Sequence, residues 1–126
     1  MSYLDPSFVA TVRTGTHLNC TNQVFDLLGT KVAYSTEERF FLLSNEEIGF
    51  SSESGIVCGS LFSFYDGVNN DDRIKYDIAN EDTARSWWLR TPYPSYASHE
   101  RYVDSSGALH SYGAYGGLGA AAACEI

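Results

Sequence analysis

The stretch that most constrains this chain is Trp87–Pro92, with the sequence Trp-Trp-Leu-Arg-Thr-Pro, together with the segment that follows it. From Tyr93 to Gly119, five Tyr, five Ser and five Gly fill 15 of the 27 positions, and lysine is absent. The double tryptophan predicts a strand over Trp87–Leu89 that the following prolines terminate. Rigid aromatic side chains among small, adaptable polar residues are typical of a recognition surface. We therefore predict that residues 1–92 are mainly a scaffold and that residues 93–119 form a ligand-binding surface.

The composition limits the class of protein. The chain of 126 residues is long enough for one domain with its own core, and 44% hydrophobic residues argue against disorder. A net charge of −8 and a pI near 4.6 disfavour a nucleic-acid partner or an anionic lipid surface. No apolar run reaches the ~20 residues of a membrane span, and Met1–Pro6 lacks the features of a signal peptide. We expect one domain over residues 1–126, without membrane insertion.

The three cysteines give no metal or redox pattern. Cys20, Cys58 and Cys124 are far apart in the chain, odd in number, and never in a C-x-x-C spacing. Buried free thiols in a reducing compartment are the default prediction. One disulfide with a spare thiol is the alternative.

Local patterns in the first half predict mostly strands. Phe8–Thr14 alternates β-branched and small residues and predicts a strand. Val24–Leu28 is a short apolar cluster that fits a helical turn or a strand equally well. Ile56–Cys58 is a candidate edge strand.

The clearest local signal in that half lies around Ser44. Arg39–Leu43 contains a continuous apolar run of strand length, which predicts a buried strand. Ser44 then precedes Glu47 by three residues, the spacing of a capping box. This pair predicts a short helix over Asn45–Phe50.

The second half predicts strands around a hairpin. Trp87 and Trp88 should point to opposite faces of their strand, with one of them in the core. Arg101–Asp104 and Ala108–His110 flank Ser105–Gly107, which predicts a β-hairpin with glycine at a positive φ. Gly113–Gly119 is too rich in glycine to hold a strand, whereas residues 120–126 are predicted to return as a closing core strand. The predicted class is α+β, strand-dominated, with short helices and long irregular loops.

The sequence does not indicate a catalytic site. Ser98, His99, Glu100, Asp104 and His110 have the residue types of a hydrolase, but no G-x-S-x-G turn places a nucleophile. We therefore predict that the protein is not an enzyme and that it binds no cofactor. Arg90 is predicted to pair with a carboxylate, the candidates being Asp77, Glu81 and Asp82.

The candidate metal sites are weak. The segment Asp66–Asp72 is rich in Asp, Asn and Gly, which first predicts a solvated turn and second a calcium loop. Val68 falls where a ligand should be, and no Glu closes the loop. The three histidines, His17, His99 and His110, match no zinc spacing. We predict no metal site.

Three segments of the chain resemble an uncharacterised domain of bacteria and their phages. They are Phe40–Glu47, Trp87–Pro92 and Tyr102–Gly107. The signature of that family is Phe-Leu-Leu-Ser-x-Glu-Glu, then Trp-Trp-Leu-Arg-Ser-Pro, a Val-x-x-x-Gly hairpin and a Gly-Val-Arg-Pro-Ala ending. The resemblance spans roughly residues 8–126. Thr91 replaces the usual Ser, and Gly119–Cys124 lacks the Arg-Pro of the common ending.

The resemblance implies a C-type-lectin-like fold of the branch related to formylglycine-generating enzymes. In that branch the sheet and short helices support an irregular surface that faces the ligand, often without catalysis. A member with the catalytic activity would need a reactive cysteine pair, which the scattered cysteines disfavour.

The chain also resembles the variable proteins of diversity-generating retroelements, whose C-terminal stretch is rewritten by adenine-directed mutagenesis. Asn codons rewritten at adenines cannot become Glu, Gln, Lys, Met or Trp. Within residues 93–119 only Glu100 belongs to that set. The resemblance implies that the double Trp is framework and that Glu100 is fixed. The displayed side chains would be Tyr93, Tyr96, Ser98, His99, Tyr102, Asp104, His110, Ser111, Tyr112 and Tyr115.

The expected function is non-enzymatic binding of a protein or glycan on a target cell, from a phage tail or a bacterial surface. Membership of a larger or oligomeric assembly is compatible with this role. One alternative is a calcium-dependent carbohydrate-binding lectin that uses Asp66, Asn69, Asp71 and Asp72. Another is a structural module of a larger virion or surface protein.

Overall fold

The structure, a computed structural model, describes residues 6–19, 34–53, 57–94 and 98–125. These residues form a small, strand-dominated α+β domain, as predicted, with three 3₁₀ turns at Glu46–Ile48, Ser63–Tyr65 and Asn70–Arg73. The helix and strands are α1 (Pro6–Thr11), β1 (Gly15–Asn19), β2 (Tyr34–Glu38), β3 (Phe40–Phe41), β4 (Lys75–Tyr76), β5 (Ala84–Arg85), β6 (Trp87–Pro92), β7 (His99–Val103), β8 (Leu109–Gly113) and β9 (Ala123–Cys124).

The largest sheet in the described residues is antiparallel, in the order β6-β7-β8. Three two-stranded antiparallel sheets, β1-β2, β3-β9 and β4-β5, surround it. The register of β6 on β7 shifts between Trp88 and Pro92, so the middle of β6 is free to bond elsewhere. The Arg90 N–H donates to the Leu43 carbonyl at 2.9 Å, and the Trp88 N–H donates to the Gly119 carbonyl at 2.9 Å. Strand β6 therefore connects the sheet to both the Phe40–Glu47 segment and the end of the chain.

Alternation along β6 places one face of this strand in the core. Trp87 is 2% exposed and Leu89 is 1% exposed, whereas Trp88 is half-buried on the opposite face. The indole N–H of Trp87 donates to the Arg73 carbonyl at 3.1 Å, which satisfies the one polar atom of this buried ring. The prediction that the two tryptophans point to opposite faces is confirmed. The core around Trp87 contains Phe41, Leu43, Ile48, Tyr65, Leu89 and Val103.

The predicted hairpin is confirmed. Val103 of β7 is opposite Leu109 of β8, and the turn between them places Gly107 at φ +84°. Asp104 closes the turn, because its Oδ1 accepts hydrogen bonds from the N–H groups of Ser106 at 2.8 Å and Ala108 at 3.0 Å. The closing strand at the end of the chain is also present, although it is shorter than predicted.

The strand predicted over Phe8–Thr14 is wrong. Residues Pro6–Thr11 form α1, and the Thr11 hydroxyl donates to the Phe8 carbonyl at 2.6 Å. Pro6 at the first helical position presets φ for a helix and loses no helical hydrogen bond. This start signal outweighs the alternation of β-branched and small residues that follows it. Val24–Leu28 lies outside the described residues.

One other strand and one helix also differ from the predictions. Strand β3 covers only Phe40–Phe41 of the predicted Arg39–Leu43, because the Leu43 carbonyl bonds to Arg90 instead of continuing the ladder with β9. The predicted helix Asn45–Phe50 is a 3₁₀ turn that ends at Gly49, φ +93°. Its capping box is confirmed, since the Ser44 N–H donates to Glu47 Oε1 at 2.9 Å and the Glu47 N–H donates to Ser44 Oγ at 3.4 Å.

The expectation of three free thiols is wrong as well. Cys58 is disulfide-bonded and fully buried, whereas Cys124 is a free thiol. Distance in the fold, which sequence spacing does not give, decides whether a cysteine is bridged. The edge strand predicted over Ile56–Cys58 is absent from its described residues, because the Cys58 N–H donates to the Glu46 carboxylate and not to a neighbouring strand.

Candidate ligand-binding surface

Arg90 fixes the scaffold beneath the candidate surface. Its guanidinium bonds to both carboxylate oxygens of Glu47, and it also donates to the carbonyls of Leu18 at 2.9 Å, Leu42 at 2.7 Å and Cys58 at 2.9 Å. Both charged side chains are almost completely buried. The predicted pairing of Arg90 with Asp77, Glu81 or Asp82 is therefore wrong. Nearness in the chain suggested those partners, but alternation along β6 turns Arg90 toward the Ser44–Glu47 capping box.

A second set of polar contacts supports β6 and β7 from the core face of the sheet, on which Thr91 follows Trp87 and Leu89. The Thr91 hydroxyl accepts from the Asn45 N–H at 3.0 Å, and the Asn45 amide donates to Glu53 Oε1 at 2.7 Å. Glu53 then receives two hydrogen bonds from Arg101, at 2.8 and 2.5 Å. Because all these groups are at least half-buried, the network holds the sheet in one position relative to the capping box.

The other face of the sheet carries a row of aromatic side chains, which we call the aromatic face: Trp88, Tyr102, His110, Tyr112 and Tyr115. Tyr102 is opposite Trp88 on one side and opposite His110 on the other. Its ring centroid lies 6.1 Å from Trp88, 5.9 Å from His110 and 6.4 Å from Tyr112. Contacts of this kind favour one relative orientation of neighbouring rings. The row is therefore ordered before any ligand arrives.

Exposure along the aromatic face increases away from β6. Trp88 and Tyr102 are half-buried, whereas Tyr112 is 45% exposed and Tyr115 is 87% exposed. A Cβ added at Gly113 would lie 2.3 Å from the Tyr115 ring, and one at Gly116 would lie 2.1 Å from the Tyr112 ring. Gly113 at the end of β8 and Gly116 after it therefore allow both tyrosine rings to lie flat against the backbone.

Asp104 and His110 form an ion pair at the hairpin end of the aromatic face, 2.8 Å apart. Burial opposes ionisation of Asp104, but hydrogen bonds from Ser106 and Ala108 and the charge of His110 hold the pKa of Asp104 below its ordinary value. His110 is half exposed, so its ring remains accessible beside Tyr102. Asp104 therefore orients a side chain of the surface while it closes the turn.

The structure separates the other predicted site residues from this row. Tyr93 lies 6.1 Å from His99, and the Arg101 guanidinium lies 4.6 Å above the Tyr93 ring, so these three form a cluster at the far end of β7. Ser98 is exposed at the start of that strand. Ser111 is opposite Arg101, on the face away from Tyr112. Tyr96 lies outside the described residues.

Sequence reasoning missed the environment of Glu100, which it treated only as a fixed position. Glu100 is opposite Tyr112 and lines a cavity of about 380 Å³ together with Leu42, Trp88, Leu89, Arg90 and Ala114. Its Oε2 is buried and has no hydrogen-bond partner within the described part of the chain. Burial raises the pKa of Glu100 from an ordinary 4.5 to about 7. The single glutamate within a Tyr/Ser/Gly-rich stretch was the only sequence signal for it.

The acidic Asp66–Asp72 segment is bonded to itself. Asn69 Oδ1 accepts from the Asp71 N–H at 3.0 Å, and Asp72 Oδ2 accepts from the Asn69 N–H at 3.1 Å, which forms the capping box of the Asn70–Arg73 turn. In the described part of the chain, no three His, Cys, Asp or Glu side chains come together as a metal site requires. The calcium alternative thus stays a prediction with no structural argument in its favour.

Comparison with known proteins gives one family. A model of a domain of unknown function, DUF6273, matches residues 10–126. The chain belongs to this family. The match covers the capping box, β6 and the aromatic face of this DUF6273 domain alike. Neither the curated proteins nor the solved structures contain a match to the chain. None of the helices described here is long and apolar enough to cross a membrane.

Proposed function

We propose that this DUF6273 domain is a non-enzymatic binding domain that recognises a protein or glycan through its aromatic face. The observation that carries the proposal is the continuous row from Trp88 to Tyr115, half-buried at one end and 87% exposed at the other. Exposed aromatic groups in contact with one another are uncommon on surfaces without a partner. Tyrosine supplies much contact area with few rotatable bonds, so burying this row against a partner gains apolar contact at a small loss of entropy.

The scaffold supports this proposal by its rigidity. Binding is tighter when the surface already has its bound shape, because less conformational entropy is lost. The Arg90–Glu47 pair fixes β6 to the Ser44–Glu47 capping box, and the Thr91–Asn45–Glu53–Arg101 network fixes β6 and β7 from the face opposite the aromatic face. The exposed side chains His110, Tyr112 and Tyr115 can then vary without disturbing the core.

Two finer proposals follow from the resemblance. The first is a C-type-lectin-like fold, for which the short strands around β6 and the long irregular segments are suitable. The second is retroelement-driven diversification, in a phage tail or on a bacterial surface. It is supported by the exposure of Tyr112, Tyr115 and His110, whose replacement would leave the core unchanged. The disulfide at Cys58 suits display outside a reducing cytosol.

The first test compares tyrosine variants for binding to a panel of intact bacterial strains and to a glycan array. We expect Tyr112→Ala and Tyr115→Ala to lower binding at least tenfold, since aromatic anchors typically contribute 1.4 kcal/mol or more, about a factor of ten. Tyr76→Ala is the matched control, because Tyr76 is 55% exposed on β4, away from the aromatic face. Melting temperatures should remain nearly unchanged in all three variants. Loss of stability without a specific loss of binding would show that these tyrosines are structural.

The second test addresses diversification. The DNA around the gene is sequenced for a near-copy of the segment that encodes Trp87–Ile126, beside a reverse transcriptase gene. We expect mismatches confined to adenines of the copy, at codons of exposed residues such as Tyr112 and Tyr115. If no copy exists, the surface is fixed and the diversification proposal fails, whereas the binding proposal stands.

A further inference from the structure

We propose that the cavity beside Trp88 binds the ammonium group of a lysine side chain from a protein ligand, with the Glu100 carboxylate as its counter-ion. This inference deepens the proposed function and rests on it, because it names the chemistry that the ligand presents next to the aromatic face. We call this site the Glu100 cavity and define it by Leu42, Trp88, Leu89, Arg90, Glu100 and Ala114.

The Glu100 cavity adjoins the aromatic face. Trp88 belongs to both, since its ring contacts Tyr102 and also lines the cavity. Glu100 is two residues from Tyr102 on β7 and is opposite Tyr112 on β8, so its side chain emerges on the same face as both tyrosines. A ligand that covers Tyr102 and Tyr112 is therefore within reach of the cavity.

Among the residues that the structure describes, no cation pairs with the carboxylate in this cavity. Arg90 is the cationic residue in the lining, but its guanidinium bonds to Glu47 and to three carbonyls. Arg101 emerges on the opposite face and is bonded to Glu53. Across the sheet, the group facing Glu100 is Tyr112, and the next ionisable side chain on that face is His110, paired with Asp104. A buried carboxylate oxygen with no partner is costly, and a cationic donor would remove that cost.

The walls of the cavity favour an alkylammonium over other cations. Leu42, Leu89 and Ala114 are apolar and suit the methylene stem of lysine, while the Trp88 ring attracts a positive charge. An amino sugar would bring several hydroxyl groups that these walls cannot satisfy. The net charge of −8 also attracts a basic protein surface during encounter.

The pKa of Glu100, raised by burial to about 7, predicts how binding depends on pH. Only the carboxylate form attracts a cation, so apparent affinity follows the ionised fraction, about 0.09 near pH 6 and about 0.91 near pH 8. Binding of an alkylammonium should thus be about tenfold tighter near pH 8 than near pH 6.

The experiment titrates n-butylammonium, a lysine side-chain mimic, into the protein labelled with ¹³C at the glutamate side chains. The carboxyl carbon of Glu100 is followed by NMR near pH 6 and near pH 8. The probes 1-butanol and glucosamine serve as the neutral isostere and the amino-sugar comparison. We expect saturable binding of n-butylammonium with the tenfold pH effect, and little binding of either comparison probe.

Two variants decide the role of Glu100. Glu100→Gln keeps the shape of the side chain without its charge and should abolish both the binding and its pH dependence. Glu81→Gln removes an exposed carboxylate in the turn between β4 and β5 and should change neither. The inference is overturned if n-butylammonium binds no better than 1-butanol, if Glu100→Gln binds it equally well, or if glucosamine binds more tightly.

The failure of this inference is distinguishable from failure of the proposed function. Tyr115→Ala should leave n-butylammonium binding intact, because Tyr115 does not line the cavity, while it lowers binding to target cells. Loss of cell binding in Tyr115→Ala with no butylammonium site would retain the aromatic face and remove only the lysine pocket. If n-butylammonium binds but Tyr115→Ala leaves cell binding unaffected, the lysine pocket is retained and the role of the aromatic face is removed.

Discussion

At the residue scale, two features of the hairpin turn require glycine at position 107. Its φ of +84° favours glycine, and a Cβ there would lie 1.8 Å from the Asn70 carbonyl oxygen. Gly67 has a similar φ, +71°, with nothing within 4 Å of an added Cβ. We expect Gly67→Ala to lower the free energy of unfolding by about 1–2 kcal/mol through backbone strain alone. Gly107→Ala should lose about 3 kcal/mol or more, because it also separates the turn from the Asn70 segment.

Urea denaturation of the two glycine variants measures this difference. If both lose the same free energy of unfolding, the close contact between the hairpin and Asn70 does not contribute to stability.

Arg90 is the second residue whose role is structural and testable. Arg90→Ala would leave Glu47 buried without its counter-charge, which typically costs about 3–5 kcal/mol. Arg90→Lys should recover only part of that loss, because one ammonium cannot replace a planar guanidinium that reaches several acceptors. Arg85→Ala is the control, since its pair with Asp77 is largely exposed and should contribute little to stability. Thermal unfolding of all three variants checks this ranking. Equal losses of stability in Arg85→Ala and Arg90→Ala would contradict it.

At the scale of elements, the segment after β8 sets the positions of the exposed tyrosines. A Cβ at Gly116 would displace the Tyr112 ring, from which it would be 2.1 Å, whereas one at Gly117 would meet nothing within 4 Å. Neither glycine has a positive φ, so alanine strains neither backbone. We expect Gly116→Ala to weaken binding to target cells severalfold while all five aromatic side chains remain, and Gly117→Ala to bind normally. Equal affinities would mean that the flat position of Tyr112 is unimportant.

The same scale shows what the sequence could predict. The β7-β8 hairpin, the alternation of Trp87 and Trp88 and the Ser44–Glu47 capping box depend on neighbours within a few residues, and all three were predicted. The end of β3 and the pairing of Arg90 depend on contacts between residues more than forty positions apart, such as Leu43 and Arg90. Local sequence patterns do not predict such contacts. Helix α1 has a different cause, because the alternation in Phe8–Thr14 favours a strand, whereas Pro6 just before it favours the start of a helix.

The candidate surface was predictable in composition but not in arrangement. Tyr102, His110, Tyr112 and Tyr115 come together because their positions in β7, in β8 and after it place them on one face. Tyr93 and His99 have the same residue types but lie with Arg101 at the other end. Register and strand alternation decide which members of a Tyr/Ser/Gly-rich stretch form a surface. Neither can be deduced from the amino-acid composition.

At the scale of the whole molecule, Glu100 couples stability to pH and to ligand. The native pKa is about 7 against an ordinary value of 4.5, so between these values the native carboxyl keeps a proton that the unfolded chain has released. Ionisation of Glu100 therefore lowers the stability of the native state as pH rises through this window, and the full loss is present above pH 7. Glu100→Gln removes this loss. The variant should match the wild type in free energy of unfolding near pH 4 and exceed it near pH 8.

Urea denaturation at a series of pH values, with and without n-butylammonium, checks this coupling. The difference between Glu100→Gln and wild type isolates Glu100, because the histidines and other carboxylates titrate in both proteins. Near pH 8 the ammonium should narrow the difference, since a cation that binds only the native wild type stabilises it. A difference that is constant with pH would show that Glu100 ionises normally in the native state. A difference that grows with pH but ignores the ammonium would keep the buried charge and remove its proposed ligand.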